Sequence, residues 1–237
     1  MFLICFSTLL IAAAGYIIND YFDVKIDLVN KPQRVVIGRY LKRRLAISVH
    51  QIFNVAGVLI GLLINKWIGL VYIISVTLLW FYSERYKRMP FFGNFIVSLL
   101  TGLSLLVISL QYPSNREMVI VYAVFSFFIS IVREIIKDME DIKGDKAHGC
   151  RTLPIIWGIR KTKTFLFGVI ALFLAILFTM STSFSSDLQR FALLSVTLPV
   201  LVIVYHIFKA DTIRKFALLS TLCKITMLWG LSTMLLV

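Results

Sequence analysis

The sequence predicts an all-α fold, a polytopic transmembrane helical bundle of about eight spans. Hydrophobic residues make up 59% of the 237 residues and the mean hydropathy is +0.88, whereas a soluble domain is typically about half apolar. Several apolar runs approach or reach the roughly 20 residues that a helix needs to cross the hydrocarbon core of a bilayer. No flexible linker or soluble segment separates these runs, so we expect one membrane-embedded domain over residues 1–237.

Eight apolar runs are the candidate spans. They cover residues 2–18, 45–64, 67–82, 92–110, 118–136, 165–180, 191–208 and 216–236. The third run is short, and Trp67, Tyr72, Trp80 and Tyr82 near its ends are typical of residues at the membrane interface. Proline is nearly absent from the runs, Pro199 being the exception.

Basic residues are concentrated in every second loop. The loops after the first, third, fifth and seventh runs hold 21 Lys and Arg residues, and the opposite loops hold only Lys66, Arg116 and Arg190. Because basic loops remain in the cytoplasm, the four basic loops are predicted to be cytoplasmic and Met1 to lie outside. Membrane topology thus accounts for the net charge of +13, and no nucleic-acid partner is expected. The prediction is an integral protein of the cell membrane.

A first acidic motif directly continues the first apolar run. Asn19, Asp23 and Asp27 are spaced i, i+4, i+8, so a helix that continues through them presents all three on one face. Oxygen-bearing side chains at the mouth of a membrane helix suit a hard cation such as Mg²⁺.

A second acidic motif follows the fifth run. Glu134, Asp138, Asp141 and Asp145 are spaced i, i+4, i+7, i+11, again one helical stripe. Together with Asp20 and Glu140, which lie within them, the two motifs hold eight of the twelve Asp and Glu residues, and both lie on the predicted cytoplasmic side. Acids at the C-terminal end of a helix oppose its macrodipole, so helix capping explains them poorly. We expect the two motifs to face each other across one cavity.

This combination of residues suits a prenyl diphosphate. Facing carboxylates repel each other, and Mg²⁺ together with a diphosphate relieves the repulsion. The apolar bundle suits a hydrocarbon tail, and Tyr82 is the aromatic residue best placed to stabilise an allylic cation. Basic residues near the same mouth can bind phosphate oxygens; the candidates are Lys31, Arg34, Lys87, Arg88, Lys137, Lys143 and Arg151.

Three segments resemble signatures of the UbiA-type intramembrane prenyltransferases. The first signature is similar to Asn19-Asp20-x-x-Asp23-x-x-x-Asp27 followed by Asn30-x-Pro32-x-Arg34. The second is similar to Arg133-Glu134-x-x-Lys137-Asp138-x-Glu140-Asp141-x-x-Gly144-Asp145, followed by Thr152-Leu153-Pro154. Between them, Tyr82-Ser83, Lys87-Arg88 and Gly93-Asn94 resemble the family's Tyr/Lys segment. The resemblance covers nearly the whole chain.

The resemblance implies Mg²⁺-dependent transfer of a prenyl chain from a diphosphate to an acceptor nucleophile, with membrane lipids around the bundle. It implies catalytic roles for Tyr82, Asp23 and Asp141. The metal ligands it implies are Asp23, Asp27, Asp141 and Asp145, and the substrate-binding residues are Asn19, Arg34, Lys87, Lys137 and Asp138.

The form of the second signature is most similar to enzymes that prenylate geranylgeranylglyceryl phosphate to make ether lipids, which favours geranylgeranyl diphosphate as donor. Aromatic acceptors of the quinone, tocopherol or chlorophyll type stay open as an alternative. An ion-coupled transporter is the alternative from another class, but it is expected to place acids near the bilayer midplane. A CDP-alcohol phosphotransferase needs an Asp-Gly-x-x-Ala-Arg motif, which the sequence lacks.

Two features do not follow the family pattern, and a third is an isolated charge in the last apolar run. Family members usually have nine spans, and Met1 begins at what resembles their second, so we expect a first helix to be missing here. Four residues rather than three separate Tyr82 from Lys87, which makes Lys87 the weaker assignment. Lys224 lies inside the last apolar run without an acid in the neighbouring turns, and an intramembrane charge is by default a functional candidate.

Overall fold

The structure, a computed structural model, describes residues 1–30, 32–182 and 186–234. Across these residues it has ten α-helices and no β-strand. The helices are α1 (Phe2–Asn30), α2 (Arg43–Ile64), α3 (Lys66–Glu84), α4 (Phe92–Ser109), α5 (Arg116–Glu140), α6 (Ile142–Ala147), α7 (Leu153–Thr182), α8 (Asp187–Ser195), α9 (Thr197–Lys209) and α10 (Ile213–Thr233). Eight segments are long and apolar enough to cross a membrane, with α8 and α9 forming one of them. The predicted all-α bundle of eight spans is therefore confirmed.

The helix bounds differ most from the sequence prediction at α1 and α7. Helix α1 continues twelve residues past the predicted end of the first span, so the first acidic motif is helical, as its spacing required. Helix α7 begins at Leu153 rather than at 165, so the basic residues before 165 are also helical. Gly158 breaks its first turns with φ 76°, a conformation that glycine adopts without strain.

The seventh span is divided into α8 and α9 by a break at Val196. Pro199 explains the break. It has no N–H to donate, and its ring clashes with the carbonyl four residues earlier, which belongs to Ser195. The apolar pattern of the sequence shows one continuous run here. The last predicted span ends at residue 236, and residues 235–237 lie outside the described ranges.

Helix α5 is the centre of the bundle and packs against α4, α7 and α10. Helix α10 runs antiparallel to it, because Phe125 lies against Gly230 and the Tyr122 hydroxyl lies 3.0 Å from Thr233 Oγ1. A β-carbon at Gly230 would collide with the Phe125 ring, so the small residue allows the two helices to pack closely. On the other side of the bundle, α1 packs against α2 and α3.

Candidate active site between the two acidic motifs

A polar cavity of about 470 Å³ lies between α1, α5, α6 and α10. Nine of the ten site residues predicted from the sequence line it: Asn19, Asp23, Asp27, Tyr82, Lys87, Lys137, Asp138, Asp141 and Asp145. The tenth is Arg34, whose side chain lies outside the described part of the structure. The prediction that the two acidic motifs face one cavity is therefore confirmed. Of the other basic candidates, Lys31 is not described, and Arg88, Lys143 and Arg151 are not among the described lining residues.

Lys87 is directed to the first acidic motif despite its unusual spacing from Tyr82. Its Nζ lies 2.6 Å from Asp23 Oδ1 and donates to Asn19 Oδ1 at 3.4 Å. A 3₁₀ turn, Tyr86–Arg88, accommodates the additional residue between Tyr82 and Lys87. Gly93 at the start of α4 leaves room for this turn, since a β-carbon there would come within 2.8 Å of Lys87 Cα. Burial lowers the pKa of Lys87, and the Asp23 carboxylate opposes that effect.

The second acidic motif spans the junction of α5 and α6. Asp138 accepts a hydrogen bond of 2.9 Å from the Asn94 amide on α4, and Asp141 occupies the junction between the two helices. Burial, and after it the nearby carboxylates of Asp141 and Asp23, raise the pKa of Asp145 to about 7. Negative charge thus accumulates on the cavity wall, which favours binding of a cation.

The two motifs are joined by a contact between Asn30 and Gly144. The Gly144 N–H donates to Asn30 Oδ1 at 2.9 Å, which connects the end of α1 to α6. A β-carbon at Gly144 would collide with the Asn30 amide. The backbone N–H of Arg151 also donates to the Arg88 carbonyl at 2.8 Å, so the loop after α6 is held against the Tyr86–Arg88 turn.

An apolar cavity of about 360 Å³ adjoins the polar one and runs between α1, α3, α4 and α5. Six residues line both cavities, so Tyr82 lies where they meet: Tyr16, Asn19, Tyr82, Arg133, Glu134 and Lys137. Tyr72 also lines the apolar cavity, and ten helical residues before Tyr82 place it ~15 Å away along α3. Its hydroxyl hydrogen-bonds Thr8 at 2.8 Å and Ser7 at 3.0 Å. A molecule with a charged head and a long apolar tail fits this pair of cavities.

The donor set of the polar cavity fits Mg²⁺ bound together with a substrate. In residues 1–30, 32–182 and 186–234, no group of three or more His, Cys, Asp and Glu side chains converges closely enough to hold a metal alone. Mg²⁺ is usually held by one or two carboxylates, water and substrate phosphates rather than by an all-protein cage. The oxygen donors that face one another across the cavity, Asp23 and Asp27 on one wall and Asp141 and Asp145 on the other, meet that requirement.

The sequence alone assigned no definite role to Lys224, Asn30 or Asn94. Lys224 lines the polar cavity from α10, and its position inside an apolar run was the signal that could have placed it there. Asn30 and Asn94 were part of the signatures, but their partners lie 114 and 44 residues away. Contacts at that separation leave no pattern in a single sequence.

Known proteins resemble this chain in sequence and in fold. A digeranylgeranylglyceryl phosphate synthase of Sulfurisphaera tokodaii is 34% identical over 154 residues, which is 64% of this chain and 55% of the relative. The same-named protein of Methanothrix thermoacetophila is 35% identical over 183 residues, 77% of this chain and 67% of the relative. This chain spans about half the length of the first curated relatives it matches.

Solved structures extend the similarity over the full fold. The structure of a digeranylgeranylglyceryl phosphate synthase in membranes has a TM-score of 0.73 at 28% identity, covering 98% of this chain and 83% of that one. A UbiA homologue from Archaeoglobus fulgidus, bound to GPP and Mg²⁺, has a TM-score of 0.68 at 14% identity, covering 98% and 88%; it supports the fold alone.

The family assignment comes from the sequence. Residues 1–231 match the model of the UbiA prenyltransferase family, which covers every helix that contributes to the two cavities except the last two residues of α10. The chain therefore belongs to the UbiA prenyltransferase family.

Proposed function

We propose that this chain catalyses Mg²⁺-dependent transfer of a geranylgeranyl group from geranylgeranyl diphosphate to geranylgeranylglyceryl phosphate. The observation that carries the proposal is the junction at Tyr82 between a polar cavity lined by acids and an apolar cavity. A prenyl diphosphate has the same two parts, and its reacting carbon lies between them. The relatives' name, digeranylgeranylglyceryl phosphate synthase, supports this acceptor.

The diphosphate is bound by cations and amides on the cavity wall. Lys87 and Lys137 line the cavity and donate to phosphate oxygens, as lysines commonly do. Asn19 lies 3.4 Å from Lys87 and contributes its amide. Asp138 is held by Asn94 at 2.9 Å, which fixes the second motif against α4. Arg34 keeps the phosphate-binding role that the sequence suggested.

The metal site is made by Asp23 and Asp27 from α1 together with Asp141 and Asp145 from the second motif. When bound, Mg²⁺ neutralises charge on the diphosphate and so makes it a better leaving group. Without a cation, burial and the neighbouring carboxylates hold the pKa of Asp145 at about 7.

At the junction, the bond between the prenyl C1 and the diphosphate oxygen breaks. Positive charge then develops on the allylic carbons, and the Tyr82 ring stabilises it by cation–π attraction. The acceptor's hydroxyl oxygen bonds to C1, and its proton passes to the released diphosphate. The surrounding apolar residues exclude the water that would otherwise capture the cation.

The site is proposed to open to the cytoplasm. The loops that carry both acidic motifs also carry most of the basic residues, and basic loops are retained on the cytoplasmic side of membranes. This orientation gives a soluble diphosphate head and Mg²⁺ access to the cavity.

A transfer assay in membranes tests the proposal. Radiolabelled geranylgeranyl diphosphate and Mg²⁺ are offered in parallel with geranylgeranylglyceryl phosphate, 4-hydroxybenzoate and dihydroxynaphthoate, with and without EDTA. We expect a labelled, EDTA-sensitive product with geranylgeranylglyceryl phosphate alone. Product with only an aromatic acceptor would overturn the acceptor assignment, and the absence of product with all three would overturn the proposed activity.

A further inference from the structure

Lys224 is a cation inside a membrane helix that forms no ion pair with a described acid. It is exposed to the polar cavity from α10. In the part of the chain that the structure describes, the ion pairs join other residues, and none includes Lys224. A charge in a membrane span is costly, and such residues usually bind a partner or serve a pathway. The partner of Lys224 is therefore expected to be a ligand in the cavity.

Lys224 belongs to a polar stripe on α10. Ala217, Ser220, Thr221 and Lys224 all line the cavity and are spaced i, i+3, i+4, i+7, which places them on one helical face. Two hydroxyls therefore accompany the ammonium group on the same wall. Thr221 Oγ1 donates to the Ala217 carbonyl at 3.1 Å and must turn from it to donate to a ligand. With Lys224 and Ser220 it then supplies one cation and two hydroxyl donors, a set that suits a phosphate.

Lys224 is the deepest residue of this stripe, whereas Ala217, Ser220 and Thr221 lie level with the second acidic motif on α5. The contacts of Phe125 with Gly230 and of Tyr122 with Thr233 fix the antiparallel register of α5 and α10. In that register Lys224 is level with Ile131, six residues before Lys137, or ~9 Å along the helix axis. The α-carbon of Lys224 thus lies deeper on the α10 wall of the cavity, whereas Lys137 belongs to the α5 wall.

The donor leaves the α10 side of the cavity free for a second substrate. The apolar cavity that suits the donor tail is lined by α1, α3, α4 and α5, whereas α10 lines only the polar cavity. An acceptor that approaches the junction from the α10 side would bring its head group against the stripe.

We propose that Lys224, with Ser220 and Thr221, binds the phosphate of the acceptor and so selects an anionic acceptor. This rests on the proposed function, because it assigns the second substrate to one wall of the same site. The acceptor's phosphate monoester needs a cation in the low-dielectric bundle, and Lys224 supplies it as a point charge. Lys224 acts on binding and orientation of the acceptor, not on the breaking of the donor bond.

A comparison of variants and acceptors tests this role. Transfer is measured for the wild type, Lys224→Gln, Lys224→Arg and Lys215→Gln, each with geranylgeranylglyceryl phosphate and with its dephosphorylated counterpart, geranylgeranylglycerol. Lys215 is a matched control on the same helix, where it donates to the Lys209 carbonyl at 2.8 Å outside the described lining. We expect Lys224→Gln to raise KM for the phosphorylated acceptor by ~10-fold or more, as for a lost charge-assisted hydrogen bond.

The other kinetic constants separate this role from a general structural one. KM for geranylgeranyl diphosphate and the Mg²⁺ dependence are expected to stay at wild-type values in Lys224→Gln. The variant is also expected to use the dephosphorylated acceptor as well as the wild type does. Lys224→Arg keeps the charge and is expected to restore most of the affinity for the phosphorylated acceptor. Lys215→Gln is expected to behave as wild type.

Two results would overturn the inference without touching the proposed activity: an equal loss with both acceptors, or a loss that appears in the donor KM. Equilibrium binding of radiolabelled geranylgeranylglyceryl phosphate to the protein in nanodiscs gives a readout that does not require turnover. Equal binding by wild type and Lys224→Gln would reject the role of Lys224. Binding that depends on Lys224 in a protein that transfers no prenyl group would instead reject the proposed function alone.

Discussion

Replacing Gly144 with alanine tests whether the two acidic motifs must be held together. The new β-carbon would collide with the Asn30 amide and break the 2.9 Å hydrogen bond that this amide accepts. The lost hydrogen bond costs ~0.5–1.5 kcal/mol, and crowding costs ~1–3 kcal/mol. Alanine recovers up to ~1 kcal/mol because its helix propensity is higher than that of glycine. With the middle of each cost range and the full gain from alanine, the net loss is about 2 kcal/mol, which corresponds to a factor of about 30.

We expect this loss to appear in donor binding, because the contact sets the spacing between the carboxylates of α1 and α6. The assay is equilibrium binding of geranylgeranyl diphosphate at fixed Mg²⁺, in which Gly144→Ala should bind about 30-fold more weakly. Gly168→Ala is the matched control, since its β-carbon has no neighbour within 4 Å. That variant should bind the donor as the wild type does.

The reasoning is refuted if a double-mutant cycle shows no coupling between Gly144 and Asn30. In an Asn30→Ala background the obstacle is gone, so Gly144→Ala should add little or no further loss. An undiminished effect of Gly144→Ala in that background would show that contact with Asn30 is not the cause.

Three further predictions concern the junction and its cation. Asp141→Ala should abolish transfer while the protein stays folded in detergent, as judged by circular dichroism and gel filtration; a wild-type rate would exclude Asp141 from the site. Tyr82→Phe keeps the ring and should retain most of kcat, whereas Tyr82→Ala should lose ~2–30-fold in single-turnover rate, the value of a cation–π contact; equal rates in both variants would argue against a role for the ring. EDTA should stop transfer and excess Mg²⁺ should restore it, and product formed in EDTA would contradict a metal-dependent reaction.

The helical part of the site was predictable because it follows one helical period. The spacing of Asn19, Asp23 and Asp27 required α1 to continue beyond the apolar run, and α1 does so. The alternation of basic loops placed both acidic motifs on one side of the membrane, and the structure brings them to one cavity. Periodicity and charge distribution are local properties, so a single sequence contains them.

The parts that were not predictable depend on backbone geometry or on distant contacts. Spacing alone made Lys87 the weaker assignment, but the Tyr86–Arg88 turn directs it to Asp23. The break before Pro199 divides a run that looks continuous. The contact between Asn30 and Gly144 joins residues 114 positions apart, and the depth of Lys224 follows only from the register of α5 and α10.

Photolabelling with a prenyl diphosphate that carries a benzophenone at the end of its tail is the most direct test of the central claim. The claim is that the head lies in the polar cavity and the tail in the apolar one. With Mg²⁺ present, we predict label on α3 and α4 residues at the end of the apolar cavity far from Tyr82, such as Val71 and Ser104. Geranylgeranyl diphosphate should compete with this labelling, and EDTA should abolish it. Label confined to α10 or to the lipid-facing surface, or labelling that EDTA leaves unchanged, would contradict the claim.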